Sequence, residues 1–488
     1  MIDFDIEKFV RKFMTKRPES LLKADFERCA TEMHARIDGK RMLVVGGAGT
    51  IGSNYVKAAL RHFRPAAMYV VDIDENQLTE LTRELRAAPG ELFDCSDCSD
   101  CSIERRPPLD AHASYFIPET YVTEPIDLGS RLFEKFFKAK GPFDIVANFA
   151  ARKHVRAERD VHSIEAMCET NVFMAKKLLD LLVRNPPERF FCVSTDKAAN
   201  PVNVMGATKK LMEETIMAYA ALPRKPNDER GVMNDDRRGV VNVVTARFAN
   251  VAFSNGSLPI GWLNRIAKRQ PLSCPLGIRR FFVSPIESGE LCLFASVMGE
   301  SGDIFYPRLD PARDMIPFDA VVKDMLDDMG LGCRACGTTE EAKEKMREWE
   351  EGNSEDRRIR ERDEGERGKL RGTEDQREGE KREKGNSEDQ RIRGGYPVEF
   401  FGSDTDGEKT FEEFYTDSDV KDEETFVNLG VVKNAKRRPV AEVEAIFAKL
   451  HEVFDREEAT KEEVVKVLGE YLPNFNHISK GKSLDGRM

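Results

Sequence analysis

Asp196 and Lys197 stand side by side in "STDKAANPVNVMGATKK" (Ser194 to Lys210), directly behind the apolar run "RFFCVST". A carboxyl group and an amine fixed at a strand end can give and take protons at hydrogen-bond distance, provided that burial and the partner tune each of them. The same two residues could also form no more than an ion pair. Lys209 follows Met205 by one helical turn on the same face, where an ammonium group supplies positive potential and hydrogen bonds. Met205 carries a thioether, which can act neither as acid nor as base. Any proton transfer in this stretch therefore falls to its neighbours.

A second set of residues points to a phosphate-bearing ligand. "VVGGAGTIGSNYVKAAL" runs from an apolar strand-like stretch through Gly46, Gly49 and Gly52, with Thr50 and Ile51 between them, into a helical run. Glycines at this spacing permit a tight turn, close approach of the backbone to a pyrophosphate, and close packing of helix on strand, while the helix N-terminus favours negative charge. Asp72 in "VVDID" ends the next apolar run about 20 residues beyond Gly52, where a carboxylate accepts hydrogen bonds from the adenosine ribose. A carboxylate there repels a 2′-phosphate, so NAD is expected rather than NADP. The plainer alternatives are a Gly-rich turn without a ligand and an Asp that caps a helix.

These residues need a scaffold, and the pattern around them supplies one. "RMLVVGG", "AAMYVVDID", "FDIVANFA", "RFFCVST" and "GVVNVVTARFANV" are short apolar, β-branched runs separated by helical ones. That alternation predicts an α/β fold, a Rossmann-type doubly wound parallel sheet with a smaller C-terminal substrate-binding region. The expected organisation is a helical extension over 1–39, a dinucleotide-binding domain over 40–256 with an irregular insertion near 90–115, and a substrate region over 257–331. A disordered charged insertion over 332–395 and a C-terminal completion over 396–488 follow. The tract "GNSEDRRIRERDEGERGKLRGTEDQREGEKREKGNSEDQRIRGG" has too few apolar residues to offset its ordering entropy.

Composition narrows the function classes. Of the 488 residues, Lys and Arg total 76 against 87 for Asp and Glu, a net charge of -11 with no basic stripe for a phosphate backbone. No nucleic-acid partner is expected. No apolar run reaches the roughly 20 residues of a membrane span, and the charged start lacks a signal-peptide core; a soluble, cytoplasmic protein without a membrane partner is expected. The 10 cysteines show no secreted-type framework. Cys95, Cys98 and Cys101, with Cys333 and Cys336 of "CRAC", have pair spacings that suit a metal. The first three belong to a Ser-Asp repeat without a nearby His, so no metal site is expected.

Beyond these readings, the chain resembles the extended short-chain dehydrogenase/reductases, whose first fingerprint is GxxGxxG. "NFAARKHV" (148–155), "ETNV" (169–172), the Thr-Asp-Lys triplet with MxxxK, "ARFANVAFSNGS" (246–257), "RRFFVSPIESGELCLFASVMGESGDIFYPRL" and "GEKTFEEFY" are similar to the polysaccharide-biosynthesis branch, the UDP-N-acetylglucosamine 4,6-dehydratases. The resemblance covers most of 40–310 and 396–430. It implies oxidation at sugar C4 by bound NAD, loss of water across C5 and C6, and return of the hydrogen to C6, with a UDP-sugar substrate and a homo-oligomeric protein. It assigns Lys197 as base at C5, Asp196 as acid at C6, Thr195 to the C4 oxygen and Lys209 to the nicotinamide ribose. Met205 stands where the wider superfamily keeps Tyr, as is common in this branch. The resemblance also places Ala150 and Lys153 beside the cofactor, and His154, Asn250, Ser254 and Arg280 beside the substrate. One departure is "SDTDGEK", where Asp404 and Asp406 replace the Arg-Pro usual before "GEK". Enzymes that epimerise UDP-sugars at C4 share the fold but usually keep the Tyr and need no Asp-Lys pair. A catalytically silent dinucleotide-binding scaffold is the remaining alternative.

Overall fold

The computed structural model describes residues 4–87, 115–153, 158, 160–222, 242–352, 394–402, 409, 411 and 413–478. The Cys repeat, positions 353–393 of the charged tract, His154, Asp404 and Asp406 lie outside the described residues. Its strands are β1 (Arg41–Val45), β2 (Ala67–Asp72), β3 (Thr120–Pro125), β4 (Ile145–Asn148), β5 (Arg189–Val193), β6 (Val243–Ala246), β7 (Asn250–Val251), β8 (Leu272–Leu276), β9 (Arg279–Val283), β10 (Ile304–Pro307), β11 (Met315–Pro317), β12 (Cys333–Cys336), β13 (Tyr396–Gly402), β14 (Lys421–Asp422) and β15 (Leu429–Val432).

The apolar runs form strands because both faces of the central sheet are covered. Val44, Val70, Val146, Phe190 and Phe191 are fully buried, the pattern of a parallel sheet between helical layers. Nine strands form this sheet in the order β14-β15-β10-β6-β5-β4-β1-β2-β3. From β3 to β10 every neighbouring pair is parallel; β15 and β14 then add antiparallel strands beyond β10. The strand order reverses between β1 and β4, which opens a crevice at the carboxyl ends of these strands, the usual ligand position in such sheets.

Two smaller sheets, β11-β9-β7 and β12-β13-β8, build the region beside that crevice. Their second core joins Phe9, Val10 and Met14 of the N-terminal extension to Trp262, Met325 and Val398. The extension is thus part of this second core as well as a support for the main sheet. Its helix Lys23–Ile37 is pinned by the buried Asp25, which accepts from Val427 N at 2.6 Å and Asn428 N at 2.8 Å. Two expected boundaries shift. Residues 333–352, assigned from sequence to the charged insertion, are built into the fold: β12 pairs in parallel with β13, and the helical segment after it buries Ala342 and Met346 and packs Trp349 edge-to-face on Tyr396. The main sheet also reaches past 256, because β10 and β15 extend it.

Candidate active site at the carboxyl edge of the sheet

The turn after β1 is shaped by its glycines. Gly46 has φ +69°, and a Cβ there would lie 2.4 Å from Ala150 N, so the loops after β1 and β4 meet backbone to backbone. A Cβ on Gly52 would lie 2.3 Å from Gly46 O, which seats the helix Thr50–His62 directly against the turn. By contrast, a Cβ on Gly49 would meet only Gly46 O, at 3.6 Å. Open space therefore remains at the N-terminus of this helix, whose first N–H groups have no intrahelical acceptors. Asp72 closes the loop from β2: its Oδ2 accepts from Ala48 N at 2.9 Å and its Oδ1 from Asp74 N at 3.1 Å. Thr50 Oγ1 accepts from Asn255 N at 3.1 Å, tying the turn to the segment after β7, and Ile51 is partly buried. Glycines, free helix N–H groups and a carboxylate at the next strand end are the donor and acceptor set that a dinucleotide requires.

The second half of the site lies at the end of β5. Asp196, 3% exposed, accepts at Oδ1 from Thr195 Oγ1 at 2.7 Å, from Lys197 N at 2.9 Å and from Lys197 Nζ at 3.0 Å. Asp196–Ala198 form a single 3-10 turn, capped by the Thr195 side chain. Behind it runs the helix Val204–Ala220, whose N-cap Asn203 accepts from Gly206 N at 2.8 Å. This helix is buried almost all round, because the C-terminal helix Val440–Phe454 covers its outer side. Met205 is buried in the core beside the triplet. Lys209 is 4% exposed and donates from Nζ to Val193 O at 3.0 Å; burial pushes its amine below the ordinary lysine range.

The loop after β4 is positioned from the side. Ala150 N donates to Asn148 Oδ1 at 3.1 Å. Arg152 N donates to Asn171 Oδ1 at 2.8 Å, and Asn171 Nδ2 donates to Thr208 Oγ1 at 3.0 Å. Asn171 sits in a π-helical turn, Glu169–Phe173, a form that often re-aims one side chain near a site. The loop that carries Lys153, whose side chain is exposed, is in this way tied to the helix that carries Lys209.

On the far side a cleft of about 760 Å³ is lined by Arg279, Phe281, Tyr306, Arg308, Phe414 and Tyr415. Its size suits a small-molecule site. Arg280, its neighbour on β9, is buried and donates from Nη1 to Lys409 O at 3.0 Å. Asn250 on β7 donates to Phe281 O at 3.5 Å, and Ser254 N donates to Val251 O at 3.2 Å.

Residues 128–347 match the family described as polysaccharide biosynthesis protein. An uncharacterized membrane protein of Methanocaldococcus jannaschii is 30% identical over 292 residues, 60% of this chain and 73% of that protein. The chain belongs to the polysaccharide biosynthesis protein family. A protein named UDP-N-acetylglucosamine 4,6-dehydratase (inverting), from Campylobacter jejuni, is 25% identical over 275 residues, 56% of this chain and 68% of that protein. A UDP-glucose 4-epimerase of Rickettsia massiliae is 30% identical over 198 residues, 40% of this chain and 53% of that protein. Among solved structures, Pen from Bacillus thuringiensis shares the fold with a TM-score of 0.54 at 16% identity, over 82% of this chain and 89% of that one. Proteins named as a nucleotide-sugar dehydratase and as an epimerase are thus both among its relatives.

The branch's motifs fall on one edge of the sheet. Gly46, Gly49, Thr50, Gly52, Asp72 and Ala150 gather at the ends of β1, β2 and β4, and Thr195 to Lys197 with Lys209 at the end of β5. Arg280 is buried, and its Nη1 donates to Arg279 O at 2.9 Å as well as to Lys409 O. Sequence reasoning passed over Ser194, Glu213 and Arg247. Ser194 Oγ donates to Glu213 Oε1 at 2.6 Å, and Arg247 grips the same carboxylate with Nε at 2.8 Å and Nη2 at 2.7 Å. The available signal was the spacing of Glu213 four residues after Lys209 on a buried helix, where a carboxylate demands a cationic partner. No group of three or more His, Cys, Asp or Glu among the described residues is arranged to hold a metal ion, and none of the described helices is long and apolar enough to cross a membrane.

Proposed function

We propose that the chain is a UDP-N-acetylhexosamine 4,6-dehydratase that works with a bound NAD. The observation that carries this reading is the contact of Lys197 Nζ with Asp196 Oδ1 at 3.0 Å, beside a position held by Met205. The pair is an acid and a base that share one proton. With that proton on Asp196, Lys197 is a neutral base that takes the C5 proton of a 4-keto sugar, and Asp196 donates to the C6 hydroxyl as it leaves as water. Lys197 then returns a proton to C5. The C4 hydroxyl releases one proton in the oxidation, which balances the one Asp196 gives to the departing water. Thr195, whose hydroxyl donates to Asp196, faces the C4 oxygen in this reading.

The dinucleotide, when bound, supplies a two-electron acceptor and donor for the sugar. The glycine turn and the N-terminus of the Thr50–His62 helix hold its pyrophosphate, Asp72 its adenosine ribose, and Ala150, Lys153 and Lys209 its nicotinamide half. Asp72 favours NAD, since a 2′-phosphate would meet its carboxylate. Asn250, Ser254 and Arg280 are assigned to the nucleotide diphosphate, and His154 to the substrate. Incubation with UDP-N-acetylglucosamine and mass analysis tests the reading: loss of one water is expected. The relatives named UDP-glucose 4-epimerase support a second reading, which predicts a product of unchanged mass with the C4 centre inverted.

A further inference from the structure

Two consecutive residues at the end of β5 are gripped by two residues one turn apart on the Val204–Ala220 helix. Val193 O accepts from Lys209 Nζ at 3.0 Å, and Ser194 Oγ donates to Glu213 Oε1 at 2.6 Å. Residues four apart share a helix face, so the helix reads the strand end in register. The next three residues are Thr195, Asp196 and Lys197.

Glu213 is also one half of a bidentate ion pair with Arg247, both of them fully buried. Burial alone would push the Glu213 carboxyl up, but the charge and hydrogen bonds of Arg247 outweigh it and hold the group at about 2. The remaining Arg247 nitrogen, Nη1, donates to Phe414 O at 2.9 Å and to Asp419 Oδ2 at 3.3 Å. Asp419 Oδ2 in turn accepts from Thr416 N at 3.0 Å. Phe414, Tyr415 and Asp417 line the 760 Å³ cleft. One chain of charge-assisted hydrogen bonds thus runs from Ser194, next to the proton-transfer triplet, through Glu213 of the helix and Arg247 just after β6, to the wall of the cleft.

We infer that Ser194, Glu213 and Arg247 are positioning residues that set the distance between the Thr195-Asp196-Lys197 triplet and the substrate wall at 413–419. Ser194 governs the triplet end of the chain, and Asp419 governs the cleft end. This rests on the dehydratase reading for its kinetic consequence, but not for its structural one. Ser194, Glu213 and Arg247 are buried and Asp419 is partly so, so removing one link leaves its partner poorly compensated and shifts the attached backbone. A shift of a fraction of an ångström at reacting groups is enough to slow a reaction by an order of magnitude or more.

The test uses the full-length protein and the variants Ser194→Ala, Asp419→Asn and Arg247→Lys, with UDP-N-acetylglucosamine as the probe. Ser194→Ala should lower kcat about tenfold with KM within about twofold, while Asp419→Asn should raise KM about fivefold with kcat within about twofold. A merely structural network would lower both variants' activity only in proportion to lost folded protein, and that result would overturn the inference. Amide hydrogen exchange by mass spectrometry supplies a readout without turnover. Ser194→Ala should speed exchange over 195–199, where Lys197 N, Ala198 N and Ala199 N are hydrogen-bonded within the turn. Arg247→Lys should speed it over both 195–199 and 413–419. If the parent protein turns over no UDP-hexosamine, the dehydratase reading falls and exchange alone decides the coupling. Unchanged exchange over 195–199 in Ser194→Ala refutes the coupling whatever the turnover.

Discussion

Gly206→Ala is a one-methyl perturbation aimed at the triplet from behind. A Cβ on Gly206 would lie 2.6 Å from Lys197 O and 3.3 Å from Asn203 Oδ1. A comfortable carbon-to-carbonyl approach is about 3.3 Å, so the helix start or the Lys197 backbone must move by about 0.7 Å. Overpacking of this kind costs about 1–3 kcal/mol, and the better helix propensity of Ala offsets about 1 kcal/mol of it. Global stability should therefore fall by no more than about 2 kcal/mol. The displacement falls on the residue assigned to take the C5 proton, where a misplacement near 1 Å costs about 10²-fold. The expected result is a fall in kcat of about 10- to 100-fold, with dinucleotide content unchanged and a melting temperature within a few degrees of the parent. The assays are water loss from UDP-N-acetylglucosamine by mass, cofactor content of the purified protein, and thermal unfolding. A Gly206→Ala variant that keeps full turnover and a parent-like melting temperature would show that the helix start does not position Lys197.

Further expectations concern the cofactor, the extension, the buried ion pair and the chain's C-terminal segment. Asp72→Ala should weaken dinucleotide binding by about 1.5–3 kcal/mol, the worth of a charge-assisted hydrogen bond, as measured by calorimetric titration; an unchanged affinity removes Asp72 from the site. Asp25→Ala should cost about 1–3 kcal/mol of stability, since two backbone N–H groups lose a buried carboxylate acceptor, and a urea-unfolding midpoint equal to the parent's would contradict this. The Glu213 carboxyl sits at about 2 in the folded protein, below its unfolded value, so its contribution is complete above the ordinary glutamate range and is lost as pH falls toward 2. Stability measured across that window should decline less steeply in Glu213→Gln than in the parent, and equal slopes would assign the acid sensitivity elsewhere. Ending the chain at Leu472 removes the bonds of Asn476 N to Pro201 O and Ile478 N to Val202 O and the contact of His477 with Glu158, whose carboxylate accepts from Val204 N. Turnover should fall severalfold with cofactor content intact, and equal turnover would separate this segment from the site.

The strands that hold the site were legible because burial on both faces leaves continuous apolar runs, as in "RMLVV" and "RFFCV". β3 was not: "TYVTEP" is only half-buried at the sheet edge and mixes polar residues with its β-branched ones. The short run "CRAC" gave no strand signal beside so much charge, although pairing with β13 and the Trp349–Tyr396 contact order it. The glycine turn, Asp72 and the Asp196–Lys197 pair were readable because their chemistry depends on local spacing. The Ser194–Glu213–Arg247 chain depends on contacts between a strand end, a helix and a second strand, which no local pattern encodes. Asp25 was invisible for the same reason, since its acceptors serve a turn some 400 residues away.

The most direct measurement compares the turnover of Lys197→Ala with that of Met205→Ala, on UDP-N-acetylglucosamine in D₂O under one set of conditions. If Lys197 takes the C5 proton, Lys197→Ala loses water formation and deuterium incorporation at C5 by about 10²–10⁴-fold. Met205→Ala, which deletes buried packing and no proton-transfer group, keeps activity within about tenfold of the parent. Equal losses in the two variants, or a Lys197→Ala protein that still eliminates water at the parent's rate, would contradict the assignment of proton transfer to the Asp196–Lys197 pair.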